Sequence, residues 1–180
     1  MVLVLPLLIF PALVIGGALN DLTSFTIPNW LNAALLVAFF VAAPLVGAPL
    51  SLIGLNLAIG LAGLVLGMGM FALGWIGGGD AKLLAVVSLW LGWPAVAPFL
   101  SATAVAGGAL AILLLGFRTR LVRAHTPALG GWIDRLATPG APAPYGVAIA
   151  CGALMAFPGS SLVQLAHLTT LNSLTALGGR

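Results

Sequence analysis

Two acidic residues, Asp21 and Asp80, stand at the borders of strongly apolar segments in this 180-residue chain. An aspartate costs ~2.5–3.5 kcal/mol at the centre of a transmembrane helix, so such residues usually face a bundle interior or a water-filled cavity. Two carboxyl groups held close together cannot both ionise cheaply, and one then keeps its proton while the other is charged. The charged group can activate a water, and the protonated group can polarise a peptide carbonyl. The pair therefore predicts aspartyl-protease chemistry.

Three glycines, residues 77–79, directly precede Asp80. They let a backbone, a substrate or a neighbouring helix approach that aspartate closely. They also disfavour a continuous helix, which predicts that Asp80 lies at a helix start, where the helix dipole favours a carboxylate. Gly63 and Gly67 have the spacing of a close helix contact. We expect that contact to pack the third helix on the first and so to bring Asp80 to Asp21.

The composition requires a lipid environment for the elements that position these aspartates. The chain is 62% hydrophobic and 5% charged, with a mean hydropathy of +1.23, whereas soluble domains are about one-quarter charged. Since a spanning helix needs ~20 apolar residues, the sequence predicts an all-α, polytopic transmembrane bundle of about six helices in one domain, residues 1–180. The predicted helices run over about residues 2–20, 30–46, 50–75, 81–93, 95–117 and 144–157. Residues 159–180 are predicted to form an interfacial helix or a frayed tail.

A basic loop, residues 118–143, predicts the topology. It holds four of the chain's six basic residues, namely Arg118, Arg120, Arg123 and Arg135. Basic loops of membrane proteins face the cytoplasm, so this cluster indicates orientation rather than a nucleic-acid partner. Because five predicted helices precede the loop, the N-terminus is expected outside. Asp21 and Asp80 are then both expected at the cytoplasmic face.

The residue types of this chain give little support to metalloprotease chemistry or to a disulfide framework. His125 and His167 lack partners at metal-site spacing, and the chain contains no glutamate, which argues against a metalloprotease. Asp134, beside an arginine in the basic loop, is interpreted as a surface charge. The single cysteine, Cys151, permits no disulfide framework. We predict no metal and no cofactor.

Three motifs appear in order along the chain: Asp21 with Ile27-Pro28-Asn29, Gly77-Gly78-Gly79-Asp80-Ala81-Lys82, and Pro144-Tyr145-Gly146. Together they resemble the type IV prepilin peptidases, most closely the small form that serves Flp/Tad-type pilus systems. The resemblance implies that Asp21 and Asp80 are the catalytic aspartates. It also implies cleavage of a short basic leader from prepilins at the cytoplasmic membrane face, commonly just after a glycine.

The resemblance extends to supporting residues and to location. Active-site support or substrate contact is expected from Gly77, Gly78, Gly79, Pro28, Asn29, Lys82, Pro144, Tyr145 and Gly146. Larger members carry an N-terminal cytoplasmic region with cysteine pairs, and they N-methylate the cleaved pilin. Because this chain has neither that region nor those cysteines, we expect a peptidase without methyltransferase activity. Relatives often carry basic residues where residues 22–26 are neutral here. The expected location is the bacterial cytoplasmic membrane, and the expected partners are prepilins, lipid and the pilus assembly or secretion machinery.

Two other functions stay open at this point. Paired intramembrane carboxylates also form ion sites, which would suit a small ion- or proton-coupled transporter. The lack of an inverted repeat with matching broken helices counts against that function. The third hypothesis is a non-enzymatic scaffold for a secretion or pilus apparatus.

Overall fold

The computed structural model describes residues 6–118, 131–138 and 141–178, and these residues contain helices and no strands. The helices are α1 (Ile9–Ser24), α2 (Asn29–Leu45), α3 (Leu50–Ala72), α4 (Gly78–Leu91), α5 (Val96–Phe117), α6 (Gly131–Ala137), α7 (Tyr145–Ala156) and α8 (Ser161–Gly178). Within the described residues, four segments are long and apolar enough to cross a membrane: Pro6–Ser24, Leu50–Ala72, Val96–Phe117 and Tyr145–Asn172. The predicted all-α membrane bundle is therefore confirmed.

Two helix bounds differ from the prediction in ways that matter for the aspartates. Helix α1 continues to Ser24, so Asp21 lies within its last turns rather than in a loop, and the helix ends at Phe25 with a left-handed φ of 56°. Helix α4 begins at Gly78, so two of the glycines belong to its first turn. Asp80 lies in that turn, and its carboxylate accepts a backbone N–H that a helix start leaves unpaired.

The C-terminal segment forms a helix in its described part. A short turn, Phe157–Gly159, joins α7 to α8, and the two helices belong to one apolar stretch. Asn56 of α3 donates a hydrogen bond of 2.9 Å to the hydroxyl of Ser161 at the start of α8. Both side chains are buried. This contact fixes the start of α8 against α3.

The predicted basic loop is described only in part. Arg118 ends α5, and its guanidinium donates to the carbonyls of Leu136 at 2.9 Å and Pro142 at 3.3 Å. These bonds hold the short helix α6 beneath the end of α5. The predictions for Arg120, Arg123 and His125 lie outside the described residues, as does the side chain of Arg135.

Helix α4 is the centre of the bundle, and the glycine face of α3 packs on it. A methyl group added at Gly60, Gly63 or Gly67 would come within 2.7–2.9 Å of α4 atoms. The prediction that this face packs on the first helix is wrong: α1 packs mainly on α7 and α2. The reason is that α4 follows α3 directly and presents small residues, Ala81 and Ser88, to the glycines.

An aromatic cluster fixes the ends of the helices that lie away from the aspartates. Trp90 of α4 is fully buried, and its Nε1 donates to the carbonyl of Leu35 at 2.9 Å. Its ring lies 5.2 Å from that of Phe10 and 5.8 Å from that of Phe39, centre to centre. Helices α1, α2 and α4 therefore share one packed core around Trp90.

Candidate active site

Asp80 is held in the first turn of α4. Its side chain is 7% exposed, and Oδ2 accepts the N–H of Gly77 at 3.0 Å. Oδ1 is buried and has no hydrogen-bond partner among the described residues. Buried polar atoms are nearly always paired in folded proteins. One oxygen of this carboxyl group therefore has lone pairs to offer to a water or a substrate.

Asp21 is held by the start of a different helix. Its side chain is 4% exposed, and Oδ2 accepts the N–H of Gly146 at 2.7 Å. The amide of Val147 interacts with the same carboxylate. Pro144 precedes α7 as its cap residue, so these amides belong to the helix's first turn. Free N–H groups at a helix start favour a negative charge.

The structure brings the two carboxyl groups to one place. The Gly146 amide, which bonds Asp21, also lies near the carboxylate of Asp80. The two carboxylates are close enough to interact electrostatically with each other. Three segments that are far apart in the chain, the end of α1 and the starts of α4 and α7, thus meet around one backbone amide.

Ile27 packs between the start of α4 and the start of α7, next to the two carboxyl groups. A methyl group added at Gly79 would lie 3.1 Å from its Cβ, and one added at Gly146 would lie 2.8 Å from its Cδ1. Ile27 is 7% exposed. The absence of side chains at the two glycines lets this isoleucine fill the space beside Asp21. Sequence reasoning used Ile27 only as part of a motif and assigned it no role.

Comparison with known protein families matches residues 8–112, more than half of the chain, to the type IV leader peptidase family. The chain belongs to that family. No curated protein and no solved structure gives a significant match. The matched residues of this leader peptidase include Asp21 and Asp80 but end before α7. The role of the Gly146 amide is therefore visible in the fold and not in the family match.

The polar residues after α1 lie beside α4 in the leader peptidase. Pro28 caps α2, and the Asn29 side chain accepts a 2.7 Å hydrogen bond from Nζ of Lys82. Lys82 thus pairs with an amide rather than with Asp80, as its position on the helix predicts. Asn32, which sequence reasoning missed, donates from Nδ2 to the Gly79 carbonyl at 3.4 Å. An asparagine within an apolar helix was the available signal.

A groove of about 460 Å³ runs between α3, α4, α5 and α7 of the leader peptidase, and neither aspartate lines it. Tyr145, adjacent to Gly146 in sequence, and Leu84, one helical turn after Asp80, both line it. Small residues on α5, among them Gly107, form part of its wall. The groove therefore includes residues from the first turns of α4 and α7, the two helix starts that hold Asp80 and bond Asp21.

The remaining candidate residues, Gly77, Gly78 and Asp134, can each be placed in the structure. A methyl group added at Gly78 would meet the Phe71 ring at an ordinary 3.6 Å, whereas one at Gly77 would lie 3.1 Å from Oδ2 of Asp80. Asp134 lies on α6 with an exposed side chain. In residues 6–118, 131–138 and 141–178, no three His, Cys, Asp or Glu side chains cluster as a metal site would require.

Proposed function

We propose that this leader peptidase is an aspartyl endopeptidase with Asp21 and Asp80 as its catalytic pair, and that it removes the leader of type IV prepilins of the Flp class. The observation that carries the proposal is the convergence of two buried carboxylates, from helices distant in sequence, on the amide of Gly146. Burying two interacting carboxyl groups near each other disfavours ionisation of both. The pair then holds one proton, and this singly ionised state is the one that the chemistry requires.

The reaction follows from the two protonation states. The ionised carboxylate takes a proton from a water, whose oxygen attacks the carbonyl carbon of the scissile peptide. The protonated partner donates its hydrogen bond to the carbonyl oxygen, and a proton then passes to the departing nitrogen. Backbone amides of Gly146 and Gly77 hold the carboxyl groups in place, which leaves Oδ1 of Asp80 for the reacting water or carbonyl.

The groove beside Tyr145 supplies a path for the substrate. The walls of this groove are apolar along α3 and α5, which suits an apolar segment of a substrate. Small residues such as Gly107 let a helix approach closely. An apolar segment placed there would end near Tyr145, beside the two aspartates.

The location and specificity form the rest of the proposal. The basic loop that begins at Arg118 supports a cytoplasmic active site with the N-terminus outside. Cleavage then occurs at the cytoplasmic face of the bacterial inner membrane, on a leader that is basic. The new pilin N-terminus receives no methyl group. The products pass to the pilus assembly or secretion machinery.

The decisive experiment measures cleavage of a Flp-type prepilin by purified enzyme in detergent or lipid vesicles. We expect Asp21→Asn and Asp80→Asn each to abolish cleavage, because an amide can neither accept the proton from water nor donate one as an acid. Asp134→Asn is the matched control, since it removes the only other acidic side chain, which is exposed on α6. The mass of the product reports both cleavage and methylation.

Folding is checked separately by membrane insertion and helix content of each variant. Cleavage at the normal rate by Asp21→Asn or Asp80→Asn would refute the catalytic pair. Loss of cleavage in Asp134→Asn alone would place the chemistry elsewhere. A methylated product, formed when S-adenosylmethionine is supplied, would refute the prediction of peptidase activity alone.

A further inference from the structure

A second groove lies between α2, α3 and α4, and the carboxyl groups do not line it. Its volume is about 510 Å³. Most of its wall is apolar and comes from Leu36 and Phe40 of α2 and from Leu57 and Leu61 of α3. All four side chains are at least 40% exposed, and Leu61 is 56% exposed. In a membrane, such a surface faces lipid.

One end of this α2–α4 groove is polar. Asn29, Asn32 and Lys82 line it there. The Lys82 side chain is exposed, and its hydrogen bond goes to a neutral amide, so no aspartate of the described chain neutralises its charge. Oδ1 of Asn32 has no hydrogen-bond partner in the described chain. The polar end therefore offers the Lys82 cation and the exposed Asn29 amide at one end of an apolar wall, while Oδ1 of Asn32 is buried beneath them.

The length of the groove indicates which kind of molecule can fill it. From Asn29 to Phe40 the groove follows eleven residues of α2, which is ~16 Å at ~1.5 Å per residue. The hydrocarbon core of a bilayer is ~30 Å thick, so the groove reaches through about one leaflet. Trp30, 66% exposed beside the polar end, marks the level of the membrane interface. A spanning protein helix needs the full thickness, whereas a phospholipid chain needs one leaflet.

We propose that the α2–α4 groove binds an anionic phospholipid of the phosphatidylglycerol type. The phosphate lies at Nζ of Lys82, the headgroup hydroxyls hydrogen-bond with the exposed amide of Asn29, and one acyl chain lies along Leu36 and Phe40. Lysine binds phosphate as a point charge. The expected basic leader of a substrate would be repelled by Lys82, which argues against the peptide as occupant. Lys82 and Asp80 are two positions apart on one helix and therefore face different sides.

The test uses the intact protein, stripped of lipid in detergent and titrated with phosphatidylglycerol or phosphatidylcholine. Native mass spectrometry counts the lipids retained. We expect a preference for phosphatidylglycerol of about fivefold, the effect of one basic residue near an anionic headgroup. Lys82→Gln should remove this preference, and Lys82→Arg should keep it. Because binding is the readout, the result is independent of peptidase activity.

Two further variants locate the lipid. Ala33→Trp places a bulky ring in the groove and should reduce retention of both lipids, whereas Ala58→Trp, exposed on α3 outside the groove, should not. Unchanged helix content and elution volume show that each variant is folded. Equal phosphatidylglycerol preference in Lys82→Gln and the parent, or equal retention in the two Trp variants, would overturn the proposal. If a crosslinking group attached at position 33 captured a prepilin rather than lipid, that result would also overturn the proposal.

Discussion

Replacing Gly146 by alanine tests whether the start of α7 orients the proposed catalytic carboxyl groups. The added methyl group would lie 2.8 Å from Oδ2 of Asp21 and 2.8 Å from Cδ1 of Ile27. Carbon atoms in good contact are ~3.5–4.0 Å apart. The carboxylate must therefore move by about 0.7 Å, which stretches its 2.7 Å hydrogen bond to the Gly146 amide beyond the usual range.

The loss of activity follows from that hydrogen bond. A bond to a charged group contributes ~1.5–3 kcal/mol, and ~1.4 kcal/mol corresponds to a tenfold change in rate. We expect Gly146→Ala to lower kcat by about ten- to a hundredfold for each folded molecule. Overpacking also destabilises the fold by ~1–3 kcal/mol, so turnover must be normalised to folded protein.

Gly152→Ala is the matched control, because it overpacks the same helix at another contact. Its methyl group would clash with Oγ1 of Thr103 and lie 2.9 Å from both the Phe99 carbonyl oxygen and the Thr103 amide nitrogen on α5, and it would not meet a carboxylate. Because two of these contacts are with backbone atoms, which move less easily than side chains, we expect destabilisation at least as large as in Gly146→Ala, with turnover per folded molecule near the parent value. Gly16→Ala, with open space around the new methyl group, should change neither quantity.

The assay is cleavage of a purified prepilin, followed by mass, with folded protein measured by thermal unfolding in detergent. A Gly146→Ala enzyme that turns over within twofold of the parent would refute the reasoning. So would a Gly152→Ala enzyme with the same loss of turnover, because the effect would then be one of packing in α7.

The remaining predictions concern stability, measured by unfolding in detergent. Asn56→Ala should cost ~1 kcal/mol, because it removes a buried interhelical hydrogen bond to Ser161, and an unchanged midpoint would contradict that role. Gly63→Leu should separate α3 from α4 and unfold at a lower temperature, whereas Gly69→Leu, with open space around it, should not; equal effects would disprove the glycine contact. Thr103→Val should leave stability unchanged or raise it, because its buried Oγ1 has no partner in the described chain, and a loss would reveal a bond to that hydroxyl.

Sequence patterns predicted the helical class and the positions of most helices because both depend on local properties. Apolar length identified the spanning segments, and the glycine run indicated where α4 starts. The bounds near the aspartates were less predictable, since side-chain and tertiary bonds decide them. Asp80 extends α4 backward through its bond to Gly77, and α1 continues past Asp21 to Ser24.

The sequence by itself determined that this is a helical membrane protein of the leader peptidase type with two acids at helix borders, because composition and short motifs are local signals. Only the tertiary structure decided which helices meet. It placed the glycine face of α3 on α4 rather than on α1, and it brought the Gly146 amide to Asp21 across more than a hundred residues. No local periodicity encodes such contacts, because they depend on how the helix surfaces of the whole bundle fit together.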